Sequence, residues 1–246
     1  MSVGSYDDGL TARELYRFFR AGEEETLALR GVSLRVARGE TVAVVGPSGA
    51  GKSTLLSCLA GLDEPSGGDV HVDGVRISHR PETERARLRA RHIGVLLQTR
   101  NLLAHLSARD NVRLAQGAVR GRPATSAEAL LDQVGLGERR HALPRQLSGG
   151  ELARAGLAVA LANSPSVLLA DEPTGELDGG TEQLVLQMLR DRAEDGCAVL
   201  IVTHSAEAVR IADRVITLDD GRATETAEAS AGMSGLNVRE IRHVSG

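Results

Sequence analysis

The sequence is poor in side chains that many folds rely on. It has no tryptophan, and its four aromatics, Tyr6, Tyr16, Phe18 and Phe19, fall within the first nineteen of 246 residues. The core beyond them is left to Leu, Val, Ile and Ala. Cysteine is almost absent: Cys58 and Cys197 stand far apart in apolar segments. That excludes a disulfide-dense scaffold and reads as buried, reduced thiols of a cytosolic protein, a single bridge being the alternative. Net charge is only −4, so no broad basic field points to nucleic acid as a partner. The longest apolar runs fall far short of the roughly 20 residues a membrane helix needs. Met1 to Leu10 carries Asp7 and Asp8 and neither a basic start nor an apolar stretch, so no secretory leader is expected. Lysine is the scarcest charge of all, with 28 arginines against the single Lys52.

That lysine sits in Gly46-Pro47-Ser48-Gly49-Ala50-Gly51-Lys52-Ser53, which matches the phosphate-binding pattern G-x-x-x-x-G-K-[ST]. A compact ammonium on a flexible stem fits between phosphate oxygens where a planar guanidinium fork would crowd them. Backbone N–H groups of Gly49, Gly51, Lys52 and Ser53 would cradle a triphosphate at a helix N-terminus, with the Ser53 hydroxyl joining a Mg²⁺ shell. Thr54 continues the motif into the helix.

The surrounding pattern supplies the context this motif requires. Val32 to Val36 and Thr41 to Val45 read as strands around a turn at Gly39, and Thr54 to Ala60 as the helix after the loop. Val70 to Val72 and Val75 to Ile77 flank Asp73-Gly74 as a hairpin, and Ile93 to Leu97 is another strand. From Ser107 to about Leu161 helices dominate, clearest over Ala127 to Val134 and Leu152 to Leu161, an apparent helical insert. Val167 to Ala170, Val199 to Val202 and Val215 to Leu218 resume apolar strands, with a helix over Thr181 to Ala193 between the first two. Alternating apolar strands and helices predict an α/β fold whose parallel sheet is covered on both faces. The stretch from Ala223 is small and polar and receives no role.

Two further segments carry chemistry. Val167-Leu168-Leu169-Ala170-Asp171-Glu172 is a buried strand delivering two carboxylates to the sheet edge where the phosphate loop lies. Asp171 can hold Mg²⁺, directly or through water, and Glu172 can orient and deprotonate an attacking water. Leu147-Ser148-Gly149-Gly150-Glu151 opens a helix with Ser148 as its cap, and alone it could be an ordinary capped helix. Together with the phosphate loop and the acidic strand, in this order, it resembles the signature of the ATP-binding cassette family over roughly Glu14 to Arg222.

The resemblance implies a P-loop NTPase core with a mostly parallel sheet, an N-terminal antiparallel β-subdomain and an inserted α-helical subdomain. It implies an ATPase domain over 12–224, with a core at about 27–100 and 163–222, the insert at about 101–162, and tails at 1–11 and 225–246. Residue by residue, Gln98 resembles the glutamine that senses Mg²⁺ and water, and His204 the switch histidine at the γ-phosphate. Glu176-Leu177-Asp178 resembles the loop that meets its counterpart across a dimer, unless it is only a polar lead into the following helix. Phe19 aligns with the adenine-stacking aromatic, with Phe18 or Tyr16 as substitutes and edge-strand packing as the plainer role. In such a dimer, Ser148 and the Gly149 and Gly150 amides of one subunit reach the γ-phosphate held by Lys52 of the other. The implied cofactors are ATP and Mg²⁺. The implied partners are a second copy and integral membrane permease subunits, which would hold the protein peripherally at the cytoplasmic face of the inner or plasma membrane.

Some positions depart from the family pattern. Leu152-Ala153 stands where glutamine is common, Glu176 where Asn, Ser or Ala is commoner, and Ser205 where Asp often follows the histidine. Gly61 to Val70 and Ala170 to Gly175 look like the subgroup serving lipoprotein release, macrolide-type export and cell division. The expected function is ATP hydrolysis that drives a separate membrane partner; the alternative is an ATPase that gates its partner without moving substrate. A soluble ATPase acting on nucleic acid is disfavoured, because the chain has neither a second cassette nor zinc-binding cysteines. A partner groove is expected around Gln98 to Asp110, with Leu102, Leu103 and Leu106 lining it or packing between lobes. Arg85, Arg87, Arg89 and Arg91 read as a solvated face, with lipid contact the alternative.

Overall fold

Both the alternating and the continuous apolar stretches become strands in the computed structural model, which describes residues 9–21, 24–99, 101–121 and 123–226. Tyr6 and the tail beyond Thr226 lie outside the described residues. An antiparallel sheet takes β1 (Gly9–Ala21), β2 (Glu24–Ala37), β4 (Gly67–Val72) and β5 (Val75–Arg76) in the order β2-β1-β4-β5. The β4–β5 hairpin forms as expected, pairing Val72 with Val75 across Asp73 and Gly74, both at positive φ. A six-stranded sheet takes β3 (Thr41–Val45), β6 (Ile93–Leu96), β7 (Val167–Asp171), β8 (Ala198–Val202), β9 (Arg214–Asp219) and β10 (Arg222–Thr226). Their order is β10-β9-β3-β8-β7-β6, parallel except for β10.

Helices cover both faces. Against the antiparallel sheet lies α1 (Lys52–Leu59), and Leu55, Leu56 and Leu59 pack with Leu15, Leu29, Val70 and the inward residues of β3 and β7. The other face of the large sheet packs on α3 (Ala108–Gln116), α4 (Ala127–Gln133), α5 (Gly149–Ala160), α6 (Gly179–Glu194) and α7 (Ala206–Ile211). Each of these five starts where a Ser or Asp oxygen accepts a backbone N–H of the first turn: Ser107, Ser126, Ser148, Asp178 and Ser205. The core is aliphatic throughout, and Cys58 and Cys197 are free and buried, their thiols pushed up to about 12 by burial.

Three elements were not expected. The arginine-rich stretch forms α2 (Glu82–His92), in which Arg85 pairs with Glu82 and Glu64, and Arg89 with Glu82 and the Gly61 carbonyl. Two of its four arginines are thus tied to the protein itself. The first strand starts at Gly9, inside the segment expected as a tail, and β10 reaches Thr226, past the expected end at 224. Both extensions rest on backbone pairing, β1 with β2 and β10 with β9, which no apolar pattern announces.

The register of the parallel strands brings their C-terminal ends level. Val44 faces Val202, Val202 faces Asp171, and Ala170 faces Leu96. The residues that follow β3, β6, β7 and β8 therefore emerge along one edge.

Candidate functional site

The loop leaving β3 is shaped by backbone geometry that side chains would obstruct. Gly46 has φ 152°, and a Cβ there would meet the Leu218 carbonyl oxygen at 2.0 Å; Gly51 has φ 100°, and its Cβ would meet the Ala28 carbonyl oxygen at 2.4 Å. Gly51 precedes α1 without any side-chain cap. The first-turn N–H groups of α1 are thus not claimed by a side chain, which leaves an anion-binding end. Lys52 is the buried cation of this loop, with its Nζ donating to the Gly46 and Pro47 carbonyls at 2.7 and 2.9 Å. Burial pushes its pKa down, opposed by the charges of Glu172 and Asp171.

The acidic pair lies opposite. Burial raises the Asp171 pKa, partly offset by a hydrogen bond from Ser53 and by the charge of Lys52. Glu172 occupies the left-handed region at φ 45°, its N–H donating to the Val202 carbonyl at 2.9 Å. Its Oε2 accepts the His204 backbone N–H at 3.2 Å and the Thr203 hydroxyl at 3.4 Å, and His204 Nε2 stands 3.6 Å from Oε1. The carboxylate is thus aimed by β8 rather than left to rotate, and His204, half-exposed, shares its edge.

These groups line one cleft of about 720 Å³. Phe19, Ser48, Gly49, Gly51, Lys52, Ser53, Thr54, Gln98, Asp171, Glu172 and His204 all border it. Gly46, Pro47 and Ala50 support it from behind: the first two hold Lys52, and Ala50 is buried. Of Tyr16, Phe18 and Phe19, Phe19 is the one that lines the cleft, while the Tyr16 ring packs beside Gly31 and Gly67. Ser53, Asp171 and Gln98 present one carboxylate and two neutral oxygens. That set suits Mg²⁺, which takes one or two carboxylates and fills its shell with water and phosphate oxygens. Among the described residues no cluster of three or more His, Cys, Asp or Glu could hold a metal by itself.

Ser148, Gly149, Gly150 and Asp178 lie away from this cleft. Ser148 caps α5 in a reciprocal box, its Oγ accepting Glu151 N–H at 3.2 Å and its N–H donating to Glu151 Oε2 at 2.9 Å. Asp178 caps α6 through Thr181, and Thr181 packs directly against Gly150. The two helix starts therefore sit side by side. Gly149 borders a second groove of about 310 Å³ with Gln98, Leu102, Leu152, Ala153, Glu176 and Leu177. Leu102 also packs on the helical core, so the groove and packing roles coincide there, while Leu103 is 46% exposed.

Sequence reasoning missed three partners. Thr203, fully buried, holds Glu172, and its one signal is a polar residue ending an apolar strand. Glu182 accepts Ser205 Oγ at 2.6 Å and Thr174 Oγ1 at 3.1 Å, joining α6 to the loops after β7 and β8. Ser205 itself caps α7, so the departure from Asp retains an N-cap. Arg17 lies over the Phe19 ring.

Comparison with known proteins bears on this geometry. The family model described as "ABC transporter" matches residues 29–175. The chain is 42% identical over 225 residues to the lipoprotein-releasing system ATP-binding protein LolD of Zymomonas mobilis, covering 90% of this chain and 97% of that protein. It is also 42% identical over 223 residues to the macrolide export ATP-binding/permease protein MacB of Rhodopirellula baltica, where the match spans 33% of that longer protein. Among solved structures it resembles the dimeric ATP-binding cassette MJ0796 in a post-hydrolysis state bound to ADP and Pi, with TM-score 0.82, 35% identity and 98% of that chain covered.

Proposed function

Because this chain belongs to the ABC transporter family as an ATP-binding, ATP-hydrolysing cassette, we propose that it works as a dimer that powers a separate membrane permease. The chain spans about a third of the length of the macrolide-export relatives it matches. No described helix is long and apolar enough to cross a membrane. A LolD-like arrangement, with peripheral attachment at the cytoplasmic face through the partner, is the reading these matches favour.

The observation that carries the reading is the division of the motif residues between two surfaces. One chain places Lys52, Asp171, Glu172, Gln98 and His204 around a single cleft, while Ser148 and Asp178 cap neighbouring helices outside it. A second copy packed head to tail would bring its Ser148 face to the open side of that cleft and complete it.

In this reading Lys52 exchanges its two carbonyl partners for β- and γ-phosphate oxygens, a swap that gives a buried ammonium anionic partners in place of neutral ones. The Gly49, Gly51 and Ser53 amides hold the same phosphates at the α1 N-terminus. Mg²⁺ held by Ser53, Asp171 and Gln98 would neutralise charge on the phosphoryl oxygens. Glu172, fixed by Thr203 and His204, orients a water and takes its proton as the water oxygen bonds to the γ-phosphorus. The bond to the ADP oxygen breaks, giving ADP and phosphate, and the lost γ-phosphate contacts release the second copy.

The membrane-partner claim is tested by affinity purification of the tagged full chain from detergent-solubilised membranes. Stoichiometric enrichment of an integral membrane protein is expected. Recovery of the chain alone from both membrane and soluble fractions would overturn this part of the reading.

A further inference from the structure

The cleft is bordered at its outer end by Phe19, 42% exposed on β1. A base stacked there needs a ring held at one angle, and a strand-borne phenyl rotates freely unless its second face is occupied. Arg17 occupies that face, its guanidinium carbon 4.6 Å from the ring centroid, and it is absent from the cleft wall. The ring thus meets both the cleft and a guanidinium that does not itself border the cleft.

The guanidinium is itself fixed. Arg17 Nε donates to Asp63 Oδ2 at 2.8 Å and Nη2 to Asp63 Oδ1 at 2.9 Å, a bidentate fork across 46 positions of sequence. Both side chains are partly shielded, 24% and 31% exposed. Asp63 is anchored in turn, because its N–H and that of Leu62 both donate to the Ser57 carbonyl of α1, and Asp63 Oδ1 also accepts Glu64 N–H. The helix whose first turn faces the phosphates thus carries, just beyond its last turn, the carboxylate that sets the ring.

We propose that Arg17, locked by Asp63, is a positioning residue for the nucleotide base: it presents the free face of Phe19 to the purine of a nucleoside triphosphate. The proposal rests on the reading of this cleft as the ATP site. It fixes the spacing between base platform and phosphate loop through α1. A cation behind the ring also restrains it electrostatically, a contact that strengthens where the pair is shielded from water.

The experiment compares ATP with inorganic tripolyphosphate, which offers the phosphates and no base. Binding of each to the full chain is measured by calorimetry, with steady-state hydrolysis alongside, for wild type, Arg17→Gln, Arg17→Ala, Asp63→Asn and the Arg17→Ala/Asp63→Asn double variant. Arg17→Ala and Asp63→Asn should each weaken ATP about fivefold through KM, the scale of a lost half-shielded cation–π contact. Tripolyphosphate affinity should stay within about twofold, and the double variant should be no worse than the worse single one, since the pair acts as a unit. Arg17→Gln, which keeps a planar group over the ring without the charge, should fall between wild type and Arg17→Ala. Unchanged ATP affinity in these variants, or equal weakening of ATP and tripolyphosphate, overturns the proposal. Failure of wild type to bind either ligand would instead overturn the ATP-site reading beneath it.

Discussion

Ser148 caps a helix within one chain and, in the proposed dimer, faces the phosphate of the other copy. Within one chain its hydroxyl caps α5, accepting Glu151 N–H at 3.2 Å while Glu151 closes the box from the other side. Ser148→Ala removes the cap and should cost about 1 kcal/mol, a fall in melting temperature of about 2–4 °C for a chain of this size. Ser148→Asp keeps a capping oxygen, so the nucleotide-free protein should melt with wild type. In the dimer the same side chain would face the γ-phosphate of the other copy. Losing the hydroxyl there removes a hydrogen bond to a charged group at each of the two sites, about 1.5–3 kcal/mol apiece, or roughly 10²- to 10⁴-fold in dimer affinity. A carboxylate instead opposes each phosphate with about 4 kcal/mol at about 4 Å and an effective dielectric near 20, roughly a thousandfold per site and a millionfold for the two-site dimer. Stability should thus run wild type ≈ Asp above Ala, and ATP-driven dimerisation wild type above Ala above Asp. Thermal melting without nucleotide gives the first order, and sedimentation with MgATP in a Glu172→Gln background gives the second. If both orders coincide, or Ser148→Asp dimerises like its parent, the residue does not face phosphate in a partner.

Two further predictions concern the residues that shape the cleft. Burial raises the Asp171 pKa in the folded chain, so between its unfolded value and that raised value the native state binds more protons and stability falls as pH rises. Asp171→Asn should therefore melt above wild type at pH 7, lose that advantage as pH drops through the window, and hydrolyse no ATP; a lower melting point at pH 7 would refute the assigned burial cost. Gly51→Ala should abolish nucleotide binding and destabilise the chain by more than the roughly 1–3 kcal/mol of backbone strain, because its Cβ meets a carbonyl oxygen at 2.4 Å. Gly49→Ala, with φ 82° and open space around it, should show the strain alone.

The parts legible in sequence are those built from local or periodic signals. The phosphate loop, the acidic strand ending at Asp171 and the helix capped by Ser148 each announce themselves within a dozen residues, and they stand where expected. β1 was hidden because its inward residues are Leu10, Ala12 and Leu15, and the pairing irregularity between Ala12 and Leu15, with Glu14 at φ 48°, breaks the period of two. β10 is a polar edge strand paired on one side by β9, so it needs no apolar face. The hold of Thr203 on Glu172 and of Ser205 on Glu182 of α6 joins segments 31 and 23 residues apart, which spacing does not encode. The arginine stretch hid a helix because α2 buries none of its residues.

The central claim is that hydrolysis depends on Glu172 and on a second copy completing the cleft. Glu172→Gln keeps the size and hydrogen-bonding reach of the side chain while removing the base. Sedimentation of that variant with and without MgATP, paired with its turnover rate, tests the claim directly. The account predicts a monomer that becomes a dimer holding two ATP molecules, with hydrolysis abolished. Wild-type turnover in this variant, or ATP bound to a species that stays monomeric at saturation, would contradict it.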